Sequence, residues 1–191
     1  MSMASPSSAG YRNRGKSRSL VHAAMFPPDL IARATELIAR YREAALMAAT
    51  AESCTGGLIA GLLTEIPGSS AVLERGFVVY SNDAKRELLD VPEMTLADFG
   101  AVSEQTARAM AQGAIAHSKA NLAVAITGIA GPDGGTAEKP VGLVHFACAR
   151  PGGAMVALER RYGALSRGAI RLASVGTALD LLEQAANRAP D

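Results

Sequence analysis

The chain has no tryptophan, and aromatic residues make up only 4% of its 191 positions, so large rings cannot dominate the core. Hydrophobic residues still reach 49%, which leaves Ala, Leu, Val and Gly to fill tightly packed helix-on-sheet layers. Cysteine is almost absent: Cys54 and Cys148 form neither a disulfide framework nor a metal-ligand spacing, and a reducing cytoplasm is expected. Charge of one sign is missing too. A net charge of +1 gives no electrostatic case for nucleic acid or an anionic membrane as partner. No apolar run approaches the ~18 residues of a membrane span. Lysine and histidine are scarce, with four and three copies respectively, and this scarcity narrows any search for a catalytic base.

What is present divides in two. Residues 1–24 are Ser-rich and carry Arg12, Arg14, Lys16 and Arg18, with no acidic residue before Asp29. A mitochondrial-type presequence has a similar composition, and a disordered leader has it as well. The expectation is a disordered basic tail, followed by one domain over 25–188.

From Pro27 onward, helical and strand patterns alternate. Asp29–Arg42 has a helical repeat at Leu30, Ile31, Ala34, Leu37, Ile38 and Tyr41. Leu46–Ala51 reads as a buried strand despite its alanines. Leu58–Ile66 is apolar nearly all round and is expected to be a buried helix, with Gly61 permitting close packing. A strand is expected over Gly76–Ser81, and helices over Asn82–Leu89 and Pro92–Phe99. Ser103 is a natural N-cap for a helix to about Ser118. Leu122–Thr127 is the cleanest buried strand, Val141–Ala149 and Ala154–Tyr162 form an antiparallel hairpin, and Ser166 caps a helix to about Ala186. The fold class is therefore α/β: a three-layer α/β/α sandwich whose mixed, mostly parallel sheet carries an antiparallel edge hairpin.

Functional loops in such sheets leave the carboxyl ends of the strands. Three loops qualify here: Glu52–Gly57, Tyr80–Lys85 and Thr127–Gly135. Ser53 sits at a strand-to-helix turn, where a nucleophile would meet unpaired backbone N–H groups and the positive end of a helix dipole. Gly56 and Gly57 would let a substrate approach the backbone. The hydroxyl needs a base. His22 lies in the tail, His117 near a helix end and His145 inside a strand, so a Ser-His-acid triad is not expected. Lysine serves once burial lowers its pKa. Lys16 is in the tail and Lys119 ends a helix. Lys85 and Lys139 remain, and Lys85 lies on the first turn after a strand, near Tyr80. Lys139 looks like a loop residue that touches an anionic substrate. Each residue also has a plain reading: Ser53 as a helix cap, Lys85 as a solvated helix residue, Tyr80 as packing, Cys54 as a small buried apolar group and the glycine run as a flexible loop. That run, Gly128 to Gly135, has neither the P-loop lysine nor the GxGxxG spacing.

Taken together, Ala51-Glu52-Ser53-Cys54-Thr55-Gly56-Gly57, Pro67-Gly68-Ser69-Ser70, Arg75-Gly76-Phe77-Val78-Val79-Tyr80-Ser81-Asn82, Gly100-Ala101-Val102-Ser103 and Thr127-Gly128-Ile129-Ala130-Gly131-Pro132-Asp133-Gly134-Gly135, continued by Lys139-Pro140-Val141-Gly142, resemble the CinA C-terminal domain family. The resemblance runs from about Leu30 to Leu182. It implies a nicotinamide-nucleotide amidase that releases ammonia from nicotinamide mononucleotide, with Ser53, Lys85 and Tyr80 as the catalytic group. It implies no metal and no organic cofactor. The motif matches also place an implicated arginine at Arg167, which would pair with the substrate phosphate. Thr55, Gly56, Gly57, Thr127, Gly128, Gly131 and Gly134 would line the pocket, the first three holding the oxyanion on their amides. The expected partner is a small pyridine nucleotide, and the apolar helices leave room for a homodimer. A catalytically silent nucleotide-binding module, with its ligand on the same helix N-terminus, is the alternative.

Overall fold

In the computed structural model, residues 25–153 and 155–186 are described. The tail at 1–24, Ala154 at the expected start of the second hairpin strand, and 187–188 lie outside them.

Helix α1, Pro28–Glu43, starts on a proline and buries Leu30, Ala34, Leu37, Ile38 and Tyr41 on one stripe. It leads into strand β1, Ala48–Glu52, which is buried throughout. Helix α2 spans Leu58–Glu65. It buries Ile59, Leu62 and Leu63 on one face, so the burial expected of it is confined to that face. Strand β2 is Leu73–Val78, displaced toward the amino end of the expected Gly76–Ser81. Its edge position leaves side chains such as Val78 in solvent, and Val79 onward turns toward helix α3, Asn82–Leu89. Short helix α4, Glu93–Phe99, precedes α5, Glu104–Ala116, whose cap Ser103 accepts from the Thr106 amide. Strands β3, Leu122–Gly128, β4, Leu143–Ala149, and β5, Val156–Arg161, precede the long helix α6, Arg167–Ala186. Ser166 accepts from the Ala169 amide at 3.3 Å, which stops the fraying of the first turn of α6.

The five strands lie in the order β2-β1-β3-β4-β5. Strand β1 pairs in parallel with β2 and β3, whereas β4 is antiparallel to both β3 and β5. Two ladders are thus parallel and two antiparallel. The alternation of side chains divides the core in two. Leu122, Val124, Ile126, Val144 and Phe146 pack under α1, α2 and α6. Ala49, Ala51, Ala123, Ala125, Ala147 and Ala149 form the other face, against α3 and α5. That all-alanine surface lets α5 lie close to the sheet, which explains a strand pattern with few of the usual β-branched residues. Close packing continues outward at Gly113 of α5, where a Cβ would overlap the Leu89 carbonyl oxygen. At Gly61 a Cβ would make only an ordinary 3.6 Å contact with Phe26, so the close approach expected there occurs at Gly113 instead. Odd-numbered positions of β1 and β3 face α5, and this alternation carries Ser53 and Thr127 to the α5 side at the carboxyl edge. Among the described residues, no helix is long and apolar enough to cross a membrane.

Candidate active site

Strand β1 delivers Ser53, only 8% exposed, into a turn anchored when its amide donates to the Ile126 carbonyl at 3.0 Å. Helix α3, started by Ser81 accepting from the Ala84 amide, turns Lys85 inward until it is 1% exposed. The Lys85 Nζ then lies 3.1 Å from Ser53 Oγ, within the reach required of a nucleophile and its base. The expected juxtaposition is present. Nζ also donates to the Val79 carbonyl at 2.9 Å and to the Tyr80 carbonyl at 3.3 Å, with the Ser81 carbonyl at 3.5 Å. Burial pushes the Lys85 ammonium below the ordinary lysine range. No carboxylate forms an ion pair with it among the described residues. A neutral amine has two N–H bonds and one lone pair. Two carbonyls can take the N–H bonds, leaving the lone pair for the Ser53 hydroxyl proton.

Tyr80 is placed differently from the expectation. Its ring is 62% exposed, and its hydroxyl accepts from Arg167 Nη2 at 3.1 Å. The link from Tyr80 to Lys85 runs through the main-chain carbonyl rather than the phenol. Arg167 reaches across the mouth, donating also to the Gly131 carbonyl at 2.7 Å. It thereby joins the glycine loop to the segment that follows β2.

The helix N-terminus is not the open anion site expected from the sequence. Glu52, fully buried, turns its carboxylate under the turn and accepts from the amides of Gly57 at 3.0 Å, Ile59 at 3.1 Å and Ala60 at 2.9 Å. It serves as a cap supplied by the preceding strand, and α2 begins without a Ser, Thr, Asp or Asn at its start. The Gly56 amide donates to the Ser53 carbonyl at 3.1 Å. Gly56 and Gly57 are therefore not the oxyanion donors. Their φ values of +61° and +93° are what require glycine. The amides of Cys54 and Thr55 follow Ser53 directly in the same turn, ahead of α2. The Thr55 side chain is fully buried with its Oγ1 unpartnered. Burial pushes the Cys54 thiol up to about 12, so it is inert and not a competing nucleophile.

The remaining expected residues lie at the end of β3 and in the loop between β3 and β4. Thr127, nearly fully buried, donates through Oγ1 to the Ala101 carbonyl at 2.7 Å. Lys139, expected to touch an anionic substrate, instead donates to the carbonyls of Phe99 and Val102 at 2.7 and 2.8 Å. Ser103 and Thr106 hold the Gly100 carbonyl, so side chains bind four consecutive carbonyls of the loop before α5. Gly128 needs its missing side chain for packing, because a Cβ would lie 2.7 Å from Val144 Cγ2. Gly131 is buried at the start of the loop and Gly134 is exposed farther along it. His117 pairs with Asp90 at 2.6 Å, and His145 nears Glu159 at 3.8 Å on the neighbouring strand. Neither hydrogen-bonds to Ser53.

Two residues at the site were not singled out from the sequence. Glu52 could have been found as an acid ending a buried strand before an uncapped helix. Arg171 stands one helical turn after Arg167 and so on the same face. It donates from Nη2 to the Thr55 carbonyl at 2.7 Å.

The fold and the site together define an α/β sandwich with a buried hydroxyl–amine pair at the carboxyl edge of its sheet. The CinA C-terminal domain matches residues 31–186, and the chain belongs to that family. A CinA-like protein of Geotalea uraniireducens is 46% identical over 169 residues, 88% of this chain and 40% of that protein. A nicotinamide-nucleotide amidohydrolase PncC of Enterobacter agglomerans is 54% identical over 122 residues, 64% of this chain and 74% of that protein. The crystal structure of the competence/damage inducible protein CihA from Agrobacterium tumefaciens superposes with a TM-score of 0.84 at 57% identity, covering 87% of this chain and all of that one. The chain spans only 26% to 40% of the length of the longer curated relatives it matches.

Proposed function

We propose that the chain is an amidohydrolase acting on the carboxamide of nicotinamide mononucleotide, by covalent catalysis at Ser53. The observation that carries the reading is the 3.1 Å approach of a buried, carboxylate-free lysine amine to the serine hydroxyl. The PncC relative supports the reaction class and the substrate. In the first half, the Lys85 lone pair takes the Ser53 proton as Oγ bonds to the amide carbon, and the carbonyl oxygen becomes an oxyanion. The amides of Cys54 and Thr55 hold that charge. When the intermediate collapses, the C–N bond breaks and the Lys85 ammonium returns its proton to the departing nitrogen, which leaves as ammonia. In the second half, water gives a proton to Lys85 and attacks the ester. The C–Oγ bond breaks and Ser53 regains a proton from Lys85. Amide and water are consumed, acid and ammonia are formed, and no proton is left over on the enzyme.

Arg167 binds the phosphate monoester, exchanging its Gly131 carbonyl contact for phosphate oxygens. The Tyr80 carbonyl orients Lys85, and its phenol shares the mouth of the cleft with Arg167. The test is release of ammonia and of nicotinate mononucleotide from the mononucleotide by wild type and by Ser53→Ala. Loss of about a thousandfold or more in rate is expected for the variant. Near-normal release by Ser53→Ala refutes the mechanism.

A second reading, a silent nucleotide-binding module, draws on the three carbonyl oxygens around Nζ, a setting that also suits an ammonium. An ammonium cannot act as a base. A thermal shift with the mononucleotide but no deamidated product favours that reading.

A further inference from the structure

We propose that Arg171 is a positioning residue that holds the serine turn in its reactive form, by pinning the Thr55 carbonyl and so aiming the amides of Cys54 and Thr55 at the oxyanion. The inference rests on acylation of Ser53 as proposed above. The turn is held from two sides. From within the fold, Glu52 takes three amides of α2. From α6, Arg171 Nη2 takes the Thr55 carbonyl at 2.7 Å. Between these anchors the Gly56 amide returns to the Ser53 carbonyl, so the peptide unit joining Thr55 and Gly56 is fixed at both its oxygen and its nitrogen.

Gly56 is left-handed at φ +61° and, having no Cβ, tolerates other backbone angles equally well. Nothing in its own chemistry keeps that peptide unit from rotating. Rotation would release the Ser53 carbonyl and turn the preceding amides away from the hydroxyl. The Gly56 amide opposes it from the nitrogen, and the guanidinium opposes it from the oxygen.

The surroundings of Arg171 point the same way. It forms no ion pair with a carboxylate among the described residues, and its Nε is buried without a partner. A cation held this way is costly for a purely structural role. Arg33 of α1, by contrast, is paired with Asp180 and Glu183 farther along α6. An unneutralised guanidinium beside the turn adds positive potential where the tetrahedral intermediate gains negative charge. A Cβ on Gly56 would lie 3.5 Å from Arg171 Nη2, so the turn and the guanidinium are in direct contact.

The experiment compares wild type with Arg171→Lys and Arg171→Met in two assays: kcat and KM for nicotinamide mononucleotide, and the rate of Ser53 phosphonylation by a small fluorophosphonate. The second assay forms a tetrahedral adduct and needs no nucleotide recognition. Misaimed donors predict a fall in kcat on the order of a hundredfold, KM within about threefold, and a parallel fall in phosphonylation. Lysine keeps the charge and most of the stem, so it decides the matter if the methionine variant does not fold. Partial recovery of Arg171→Met by added ethylguanidine supports the proposal further. Both rates remaining within about threefold of wild type overturns it, and so does a raised KM with kcat preserved, which would make Arg171 a substrate ligand. A wild type that is phosphonylated but releases no ammonia sinks the amidase reading while leaving the role of Arg171 to be decided by phosphonylation alone.

Discussion

Replacing Lys85 by Met separates what the buried amine does for the reaction from what it does for the fold. Methionine keeps the unbranched shape, one heavy atom shorter, and lacks the charge. On the proposed mechanism the variant lacks the general base, whose Nζ lies 3.1 Å from Ser53 Oγ, and the expected catalytic loss is about 10²–10⁴-fold, or roughly 3–5 kcal/mol of barrier. The stability change is a difference of opposing effects. The variant loses hydrogen bonds to the Val79 and Tyr80 carbonyls, each worth about 1 kcal/mol net. It also loses the cost of burying an amine that prefers water. The two nearly cancel, so the unfolding free energy should move by no more than about 2 kcal/mol, or roughly 4–8 °C in a domain of this size. The pH dependence gives a sharper sign. Because the folded pKa lies below the unfolded value of about 10.4, the unfolded chain binds more protons between the two values. Wild-type stability should therefore rise relative to Lys85→Met as pH increases through that window. The penalty is complete below the folded pKa and gone above the unfolded one. Over the same lower boundary, kcat/KM should climb as the amine becomes neutral. Chemical denaturation of both proteins at several pH values, with a pH–rate profile of wild type, tests all three expectations. Activity of Lys85→Met within tenfold of wild type, or a stability difference that shrinks in the opposite direction, refutes the reasoning.

The other predictions concern the scaffold around the pair. Glu52→Gln places an NH2 against the Ala60 amide where a carboxylate oxygen had accepted, and should cost about 2–3 kcal/mol in denaturant unfolding; an unchanged midpoint would mean the carboxylate is not the cap. Gly113→Ala should be destabilising by about 1–3 kcal/mol or more, since its Cβ meets the Leu89 carbonyl, whereas Gly61→Ala should be neutral or stabilising by up to about 1 kcal/mol. Thermal melts of the two variants moving together would count against that packing. Cys54 should resist iodoacetamide at pH 8, and Cys54→Ala should keep ammonia release within a few-fold, because burial shields its thiol and pushes it up to about 12. Mass spectrometry of the treated protein checks the first expectation, and rapid alkylation of Cys54 would contradict the burial argument.

Local pattern alone determined a good deal. The order of helices and strands, the caps at Ser103 and Ser166, the antiparallel pairing of β4 with β5, and the narrowing of the lysines to Lys85 and Lys139 all rest on period, turn chemistry and residue counts, which act within a few positions. Their boundaries moved where neighbours intervened, as in β2, an edge strand whose end the sheet decides. Only the tertiary structure could reveal the rest, because it depends on which groups meet across the sheet. Glu52 fills the helix N-terminus that looked open, Lys139 binds the Phe99 and Val102 carbonyls, and Tyr80 meets Arg167 from 87 positions away. The chain's own order lists these residues but not their partners. Hydrogen bonds form at about 3 Å in space, whatever their separation along the chain.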